Sequence, residues 1–275
     1  MAFFSGVYSV LVSEQKFKGN KSKVKENNLQ EVSKVMTIGG YLARALTRLG
    51  RGIKQFKNFI EVSTRVVKSP PVLIWIGDSH AHFIANNGEP LKRVTLTNNN
   101  HLVVYLGPRL LYSVATKGFQ FDYMTTAILH LASQSQPVVL VFGEIDCRVH
   151  LVSKVKPLEQ NIFDGIASNF LDNVNGMVRQ FNFGEPILLS PVPPSDLGQS
   201  LNNYPRNGSI LQRISVTRSL TAALIKTASS HCICLDLSQL LSDDIGALRS
   251  SLTDDGVHTN TRGSKLVLEQ LRVAE

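Results

Sequence analysis

The sequence predicts an α/β fold in which helices cover both faces of a parallel β-sheet. After Pro71, short apolar runs rich in Val, Ile and Leu alternate with longer stretches of helical periodicity. Continuous apolar strands separated by helices are typical of parallel sheets that are buried on both faces. The chain has 275 residues, of which 43% are hydrophobic and 18% charged, so it can bury one sizeable core and carry an appendage. This composition excludes a disordered, collagen-like or coiled-coil protein.

Five apolar runs are the predicted strands. They occupy residues 72–76, 102–106, 138–142, 187–190 and 232–237. Helical spacing of apolar residues predicts helices over residues 121–134, 159–181, 209–230 and 264–273. Ligands of parallel sheets bind beyond the carboxyl ends of the strands, so the residues that follow each run are the candidates for a functional site.

Residues 1–69 differ from the rest of the chain in charge. They carry 13 Lys and Arg against 4 Asp and Glu, a balance of +9, whereas residues 70–275 balance to −1. Within them, apolar residues follow one stripe of a helix whose other faces carry Lys and Arg; the stripe is Leu42, Leu46, Leu49, Ile53, Phe56 and Ile60. We predict a basic tether and amphipathic helix over residues 1–69 and a main domain over residues 70–275, with the boundary at Ser69-Pro70-Pro71.

Three interpretations of the basic helix remain open. Its apolar stripe packs on the main domain, or residues 29–66 adsorb to an anionic membrane surface, or the helix binds a partner helix or nucleic acid. We favour the first, and we expect no nucleic-acid partner because the main domain is close to neutral. Residues 2–12 lack the positively charged N-terminal region and the cleavage site of a signal peptide. No apolar run reaches the length of about 20 residues that a transmembrane helix needs. We therefore expect a cytoplasmic protein, with any membrane contact peripheral and on the inner face.

Cysteine usage indicates a reducing compartment. The chain has three cysteines, an odd number, and their spacing is not that of a zinc site, so we expect reduced thiols. They are Cys147, Cys232 and Cys234. Cys232 and Cys234 lie two apart in an alternating run, where a strand places both on one face as small buried residues. Neither a metal nor a cofactor is expected.

The first predicted strand runs directly into Gly77-Asp78-Ser79-His80. Glycine permits a sharp turn there, and a serine at the start of the following helix has its backbone amide free to face an anion. A nucleophile with its own oxyanion donor requires that arrangement. A serine that only caps the helix has the same local sequence, so the motif alone does not identify a nucleophile.

A second motif lies at the far end of the chain. Asp255-Gly256-Val257-His258 directly precedes the last predicted helix. A nucleophilic serine needs a general base, and an Asp three residues before a His on one loop can orient that base. The chain therefore contains the three residue types of a catalytic triad in the order Ser, Asp, His.

In order and position, the two motifs resemble those of the SGNH (GDSL-type) hydrolase superfamily, whose first block is Gly-Asp-Ser and whose last is Asp-x-x-His. The resemblance covers residues 70–275 and implies a flavodoxin-like, three-layer α/β/α domain with a five-stranded parallel sheet. It implies a serine ester hydrolase with Ser79 as nucleophile, His258 as base and then acid, and Asp255 as the residue that orients the histidine. The family's second block is a glycine whose amide joins that of the serine in the oxyanion hole, and Gly107 fits this block.

The third block departs from the family pattern. That pattern is Gly-x-Asn-Asp, in which the Asn side chain is an oxyanion donor, but this chain reads Gly143-Glu144-Ile145-Asp146-Cys147-Arg148. Isoleucine donates no hydrogen bond, and the loss of one oxyanion donor typically costs about 100- to 1,000-fold in turnover. Glu144, Asp146 and Arg148 are candidate pocket residues, with Arg148 the nearest substitute donor. The alternative, which we favour slightly, is an ion pair of Arg148 with Glu144 or Asp146.

Three functions are compatible with these residues. We favour a serine esterase for a small, acetyl-like O-acyl ester, with a saccharide as a candidate alcohol; the same triad can instead transfer the acyl group. The second is a non-catalytic binding module, for which Ile145 is the best evidence. The third, a metallophosphoesterase, would use Asp78 and His80 as its first ligands, but no later pair of metal-spaced histidines follows. His80 and His82 also point to different faces of a helix, which disfavours a joint metal site.

Overall fold

The structure is a computed structural model that describes residues 50, 52–86, 92–133, 135–154, 160–197, 204–228 and 232–274. The tether and Leu42, Leu46 and Leu49 of the basic stripe lie outside the described residues. The chain divides into two compact units, Met1–Phe56 and Lys57–Glu275. The second unit holds every strand described and every candidate site residue.

Strands and helices alternate along the second unit. The strands are β1 (Leu73–Gly77), β2 (Val94–Leu96), β3 (His101–Tyr105), β4 (Val138–Val141), β5 (Pro186–Leu189) and β6 (Ile233–Leu235). The helices are α1 (52–68), which begins in the first unit, α2 (Ser79–Asn86), α3 (Leu111–Lys117), α4 (Tyr123–Ala132), α5 (Leu151–Lys154), α6 (Gln160–Phe181), α7 (Ile210–Ala228), α8 (Leu237–Leu241) and α9 (Thr261–Ala274). A π-helical turn (Asp146–His150) precedes α5, and a 3₁₀ turn (Ser250–Leu252) lies between α8 and α9.

The strands form one six-stranded sheet in the order β2-β3-β1-β4-β5-β6. Strands β3, β1, β4, β5 and β6 run parallel, whereas β2 pairs antiparallel with β3. The predicted α/β fold with helices on both faces of a parallel sheet is confirmed, but the prediction of five strands was wrong. The missed strand, β2, has only three residues, and so short an edge strand has no periodicity that separates it from a loop.

Alternate residues of the central strands face two separate cores. In β1, Ile74 and Ile76 face one core, and Leu73 and Trp75 face the other. Helices α1, α3, α4, α6 and α7 contribute to the first core, and α2, α8 and α9 to the second. The helices that adjoin the Ser79 and His258 motifs, α2 and α9, therefore lie in the same layer.

The second half of α1 packs on the sheet. Val62 and Val66 are buried in the first core, while Ile60 of the predicted apolar stripe is half exposed. Residues from Lys57 onward thus belong to the same compact unit as the sheet. The role of residues 1–69 as a separate appendage stays a prediction.

Side chains of α1 also cover the open edge of β2. Asn58 donates to the carbonyl oxygen of Val94 at 3.0 Å, and Arg65 donates to that of Leu96 at 3.3 Å. An uncovered edge strand presents such acceptors to other chains, so these contacts protect the edge of the sheet.

Two further predictions concern the membrane and the thiols. In the part of the chain that the structure describes, no helix has both the length and the apolar character that a bilayer span requires. Cys147 is buried, and Cys232 and Cys234 are partly buried against the first core, all three as free thiols. Burial raises the pKa of Cys232 to about 11 and that of Cys234 to about 12, so these thiols stay protonated near neutral pH.

Candidate active site

Ser79 is the first residue of α2 and follows the end of β1 by two positions. A Cβ at Gly77 would collide with the carbonyl oxygen of Val141 and lie 2.9 Å from Cβ of Ala81, so glycine is required where β1 ends against β4. The N–H groups of a helix's first turn have no acceptor within the helix. The hydroxyl and the amide of Ser79 are therefore both available at the carboxyl edge of the sheet.

His258 reaches this serine from 179 residues further along the chain. Its Nε2 lies 2.8 Å from Oγ of Ser79, and its Nδ1 lies 2.7 Å from Oδ2 of Asp255. The shorter contact fits an Nδ1–H that donates to the carboxylate, which leaves Nε2 to accept the serine proton. The structure thus brings together the three residues of the two motifs in the arrangement that a nucleophile, a base and an orienting acid require.

The Asp255–His258 turn is fixed by its own backbone. Oδ1 of Asp255 accepts from the amides of Val257 and His258, both at 2.8 Å, and leaves Oδ2 for the imidazole. Gly256 has φ +74°, and a Cβ there would collide with the carbonyl oxygen of Leu197. Burial acts in the opposite direction, but the hydrogen bonds from the ring and the amides hold the pKa of Asp255 well below its ordinary value. The carboxylate is therefore ionised at neutral pH.

Aromatic rings enclose the imidazole of His258. Phe83 stacks on it with ring centroids 4.1 Å apart, His80 lies at 4.9 Å, and Tyr204 meets it edge-on at 5.4 Å. Burial lowers the pKa of His258 despite the opposing effect of Asp255, because the charged form loses solvent. The ring is held in one orientation and is neutral near pH 7, the form in which a general base accepts a proton.

Gly107 follows β3, the strand next to that of the nucleophile. The amide of Leu106 donates to the carbonyl oxygen of Gly77 at 2.8 Å and ties the two strand ends together. Gly107 has φ +81°, whereas a Cβ there would meet nothing within 4 Å, so backbone conformation and not space requires glycine. The amides of Ser79 and Gly107 are candidate oxyanion donors at adjacent strand ends.

Arg148, the predicted substitute donor, is paired. Its Nε donates to Oε1 of Glu144 at 2.6 Å, and its Nη1 donates to the carbonyl oxygen of Pro205 at 2.6 Å. The ion pair with Glu144 that we favoured is therefore present, and the guanidinium holds the segment that carries Tyr204. Ile145 directly precedes the π-helical turn beside them, and its side chain has no polar group.

Asp146 has a structural role. Its carboxylate accepts from the amides of Leu111 and Tyr112, at 2.7 and 3.2 Å, and so satisfies two N–H groups in the first turn of α3. Sequence reasoning grouped Asp146 with the candidate pocket residues, but the structure places it at the start of this helix.

Sequence reasoning missed how deeply the charged residues near the nucleophile are buried. Asp78, His80 and Glu144 are 0%, 1% and 5% exposed. The amide of His80 donates to Oδ1 of Asp78 at 2.9 Å, and burial still raises the pKa of Asp78 to about 6. The apolar neighbours of His80 within α2, such as Ala81 and Ile84, were the available signal that this helix is covered on several sides.

The metallophosphoesterase hypothesis gains no support from the geometry. Across the residues that the structure describes, no group of three or more His, Cys, Asp and Glu side chains is arranged to hold a metal ion. One oxygen of Asp78 accepts an amide, and Nε2 of His80 lies 3.4 Å from Oε2 of Glu144.

A small cavity adjoins His258. It has a volume of about 140 Å³ and is lined by Phe83, Asp255, His258 and the residues that follow as far as Thr261. A larger cleft of about 320 Å³ lies between α7 and the β6–α8 region, and none of the triad residues lines it.

No protein-family model matches this sequence, and no curated protein sequence matches it. Among solved structures, a candidate platelet activating factor from Streptococcus pneumonia is similar at TM-score 0.50 and 17% identity, over 84% of this chain and 98% of that one. A candidate acylhydrolase from Bacteroides fragilis has TM-score 0.49 and 16% identity, over 74% and 85% of the two chains. A GDSL-like lipase from Bacteroides thetaiotaomicron has TM-score 0.43 and 15% identity, over 80% and 97%.

The first of these structures and this chain share a fold. The first of these likenesses spans nearly the whole of its neighbour and most of this chain. At 17% identity it establishes the architecture alone, and the chemistry has to be argued from the residues of this chain.

Proposed function

We propose that this protein is a serine ester hydrolase that acts on a small O-acyl ester. The observation that carries the proposal is the unbroken line of contacts from Asp255 through His258 to Ser79, at 2.7 and 2.8 Å. A serine that only caps a helix needs neither an enclosed imidazole nor an ionised carboxylate behind it.

The chemistry follows from these positions. Oγ of Ser79 attacks the acyl carbonyl carbon while Nε2 of His258 accepts the hydroxyl proton, and the amides of Ser79 and Gly107 hold the tetrahedral oxyanion. When the intermediate collapses, the bond to the alcohol oxygen breaks and the alcohol leaves with the proton from His258. Water then attacks the acyl-serine and gives its proton to His258, which returns it to Ser79 as the acid leaves.

An acetyl-like acyl group fits the surroundings of the base. Phe83 and Tyr204 lie against the imidazole of His258, which is itself buried. The near-neutral charge of residues 70–275 gives no reason to expect a polyanionic alcohol, and a saccharide is our candidate. Transfer of the acyl group to a second alcohol in place of water would use the same residues.

Hydrolysis of p-nitrophenyl acetate and labelling by a fluorophosphonate probe test the proposal. We expect both in the wild type, no labelling of Ser79→Ala, and kcat lowered by at least about 1,000-fold in Ser79→Ala and His258→Ala. Ser153→Ala, which removes an exposed serine hydroxyl on α5, is the matched control and should retain full activity. Wild-type turnover in Ser79→Ala would refute the proposal.

A non-catalytic binding module is the second candidate, and Ile145 is the observation that favours it. Without a side-chain donor at this position, the oxyanion hole is limited to two backbone amides. Binding of an acetylated saccharide by the wild type, with turnover no higher than that of the triad variants, would establish this alternative.

A further inference from the structure

His80 adjoins the nucleophile in sequence but has no part in the chemistry above. Its side chain is fully buried, its Nε2 lies 3.4 Å from Oε2 of Glu144, and its ring centroid lies 4.9 Å from that of His258. Within the described part of the chain, neither Nδ1 nor Nε2 of His80 has a hydrogen-bond partner, so the contact of Nε2 with Glu144 is an ion pair alone. The two imidazoles therefore face each other without a hydrogen bond between them.

Glu144 is a fixed anion beneath His80. Its other oxygen accepts from Nε of Arg148 at 2.6 Å, and Arg148 is itself anchored on the carbonyl oxygen of Pro205 at 2.6 Å. Burial favours a protonated Glu144, but His80 and Arg148 outweigh it and lower the pKa of this carboxyl. The carboxylate is held in place from one side and offers its remaining oxygen to His80.

A stable fold does not require a buried ion pair such as that of His80 and Glu144. Buried ion pairs are often no more stabilising than apolar residues of similar volume, because both charges lose solvent. The loss of solvent at Asp146 is offset because its carboxylate caps α3. That at Arg148 is offset because its guanidinium donates to the carbonyl oxygen of Pro205. Among the described residues, the ring of His80 hydrogen-bonds to no helix end and to no loop, and it lies beside Glu144 and His258.

We propose that His80 is a positioning residue for the base, an imidazolium held by Glu144 that disfavours a second positive charge on His258 and braces its ring. This inference rests on the proposed esterase function. Two cations about 5 Å apart repel each other, so the protonated form of His258 becomes less stable. His258 then remains a neutral, competent base in mildly acidic solution.

The charged groups around the two rings determine how readily each imidazole is protonated. Asp255 from the same turn and Glu144 from the end of β4 favour the protonated form of His258, and His80 from α2 opposes it. Burial and Arg148 oppose protonation of His80, but Glu144 and Asp78 outweigh them and raise its pKa above the ordinary value. The edge of Tyr204 completes the shell around His258.

NMR titration of the full chain labelled with ¹⁵N-histidine, together with the pH profile of kcat/KM, tests the proposal. In the wild type, we expect His80 to titrate above and His258 below the ordinary histidine pKa. In His80→Gln, the pKa of His258 and the acid limb of the profile should both rise by about one pH unit. In Glu144→Gln, the pKa of His80 should fall because its counter-ion is gone.

His82→Gln is the matched control, because it removes a second fully buried imidazole from the same helix. A purely structural role of buried histidines would alter stability in both variants, whereas only His80→Gln should move the pKa of His258. An unchanged pKa of His258 in His80→Gln, or a His80 that titrates below its ordinary value, would overturn the proposal. If His80→Gln does not fold, the titration of His80 in the wild type and in Glu144→Gln decides.

The two proposals fail in different ways. A wild type without ester hydrolysis or fluorophosphonate labelling refutes the esterase function. The NMR titrations measure the coupling of His80 to His258 whether or not an ester is hydrolysed.

Discussion

The two oxygens of Asp255 have separate tasks. Oδ1 fixes the turn through two amides, and Oδ2 accepts from Nδ1 of His258. Asp255→Asn keeps Oδ1 as an acceptor but places an NH₂ group opposite Nδ1, so the ring must carry its proton on Nε2 and cannot accept one from Ser79. We expect kcat to fall by about 1,000- to 10,000-fold while the protein remains folded. Steady-state kinetics and thermal unfolding check this, and an unchanged kcat would contradict it.

The ionised, buried carboxylate of Asp78 lowers the free energy of unfolding at neutral pH. Burial raises its pKa from 3.8 to about 6, so the folded state binds more protons than the unfolded state between these values. The free energy of unfolding therefore falls as pH rises through this window. Asp78→Asn removes the ionisation, and we expect it to stabilise the protein at pH 7 by roughly 1–3 kcal/mol, with no gain near pH 4.

Urea unfolding of wild type and Asp78→Asn at the two pH values measures this effect. The same difference in stability at both pH values would show that ionisation of Asp78 is not its source.

Residue roles could be predicted where a motif is tied to an element end. Ser79 and His258 were located because one follows the first apolar run and the other precedes the last helix. The ion pair of Glu144 and Arg148 could be predicted because the two residues are four positions apart, the spacing of neighbours on a helix. The surroundings of His80 were not, because burial depends on which helices later cover α2, and local sequence does not encode that.

At the scale of elements, buried strands were more predictable than turns. The first strand was predicted over residues 72–76 and is observed over Leu73–Gly77, since a continuous apolar run is typical of a strand covered on both faces. The π-helical turn Asp146–His150 was not predicted, because its hydrogen-bond pattern has no characteristic residue spacing. That turn places Arg148 between Glu144 and Pro205. The element that was not predicted is therefore the one that pairs Arg148 with these groups.

The turn that carries the base depends on Gly256. Its φ of +74° and its approach to the carbonyl oxygen of Leu197 leave no room for a Cβ. We expect Gly256→Ala to destabilise the protein by about 2 kcal/mol or more and to lower kcat, because Asp255 and His258 must shift with the backbone. Urea unfolding and p-nitrophenyl acetate kinetics measure the two effects.

Gly165→Ala is the matched control for this substitution. Gly165 lies within α6, and a Cβ there would meet nothing within 4 Å, so alanine should stabilise the helix by about 0.5–1 kcal/mol. If Gly256→Ala behaved like Gly165→Ala, the strain assigned to the catalytic turn would be refuted.

At the scale of the whole molecule, the positive charge and the sheet belong to different parts of the chain. Residues 1–69 hold a balance of +9, whereas residues 70–275 balance to −1. Val62 and Val66 already bury the second half of α1. If residues 29–66 adsorb to a membrane, deletion of residues 1–49 should preserve ester hydrolysis and thermal stability but weaken binding to anionic liposomes. If the apolar stripe packs on the main domain, thermal stability should fall instead.

Co-sedimentation with phosphatidylserine vesicles, with neutral vesicles as the control, tests this expectation. Binding should weaken as salt is added, because the attraction of exposed lysines and arginines to lipid headgroups is screened. Equal binding of the full and the shortened chain would contradict it.

The triad joins the two ends of the folded domain. Ser79 and His258 are 179 residues apart in sequence, and Ser264 of α9 donates to the carbonyl oxygen of Phe83 in α2 at 3.1 Å. A ribosome-bound chain that stops before residue 258 carries a nucleophile without a base. On the proposed function, ester hydrolysis therefore requires residue 258 to have left the ribosome and docked beside α2.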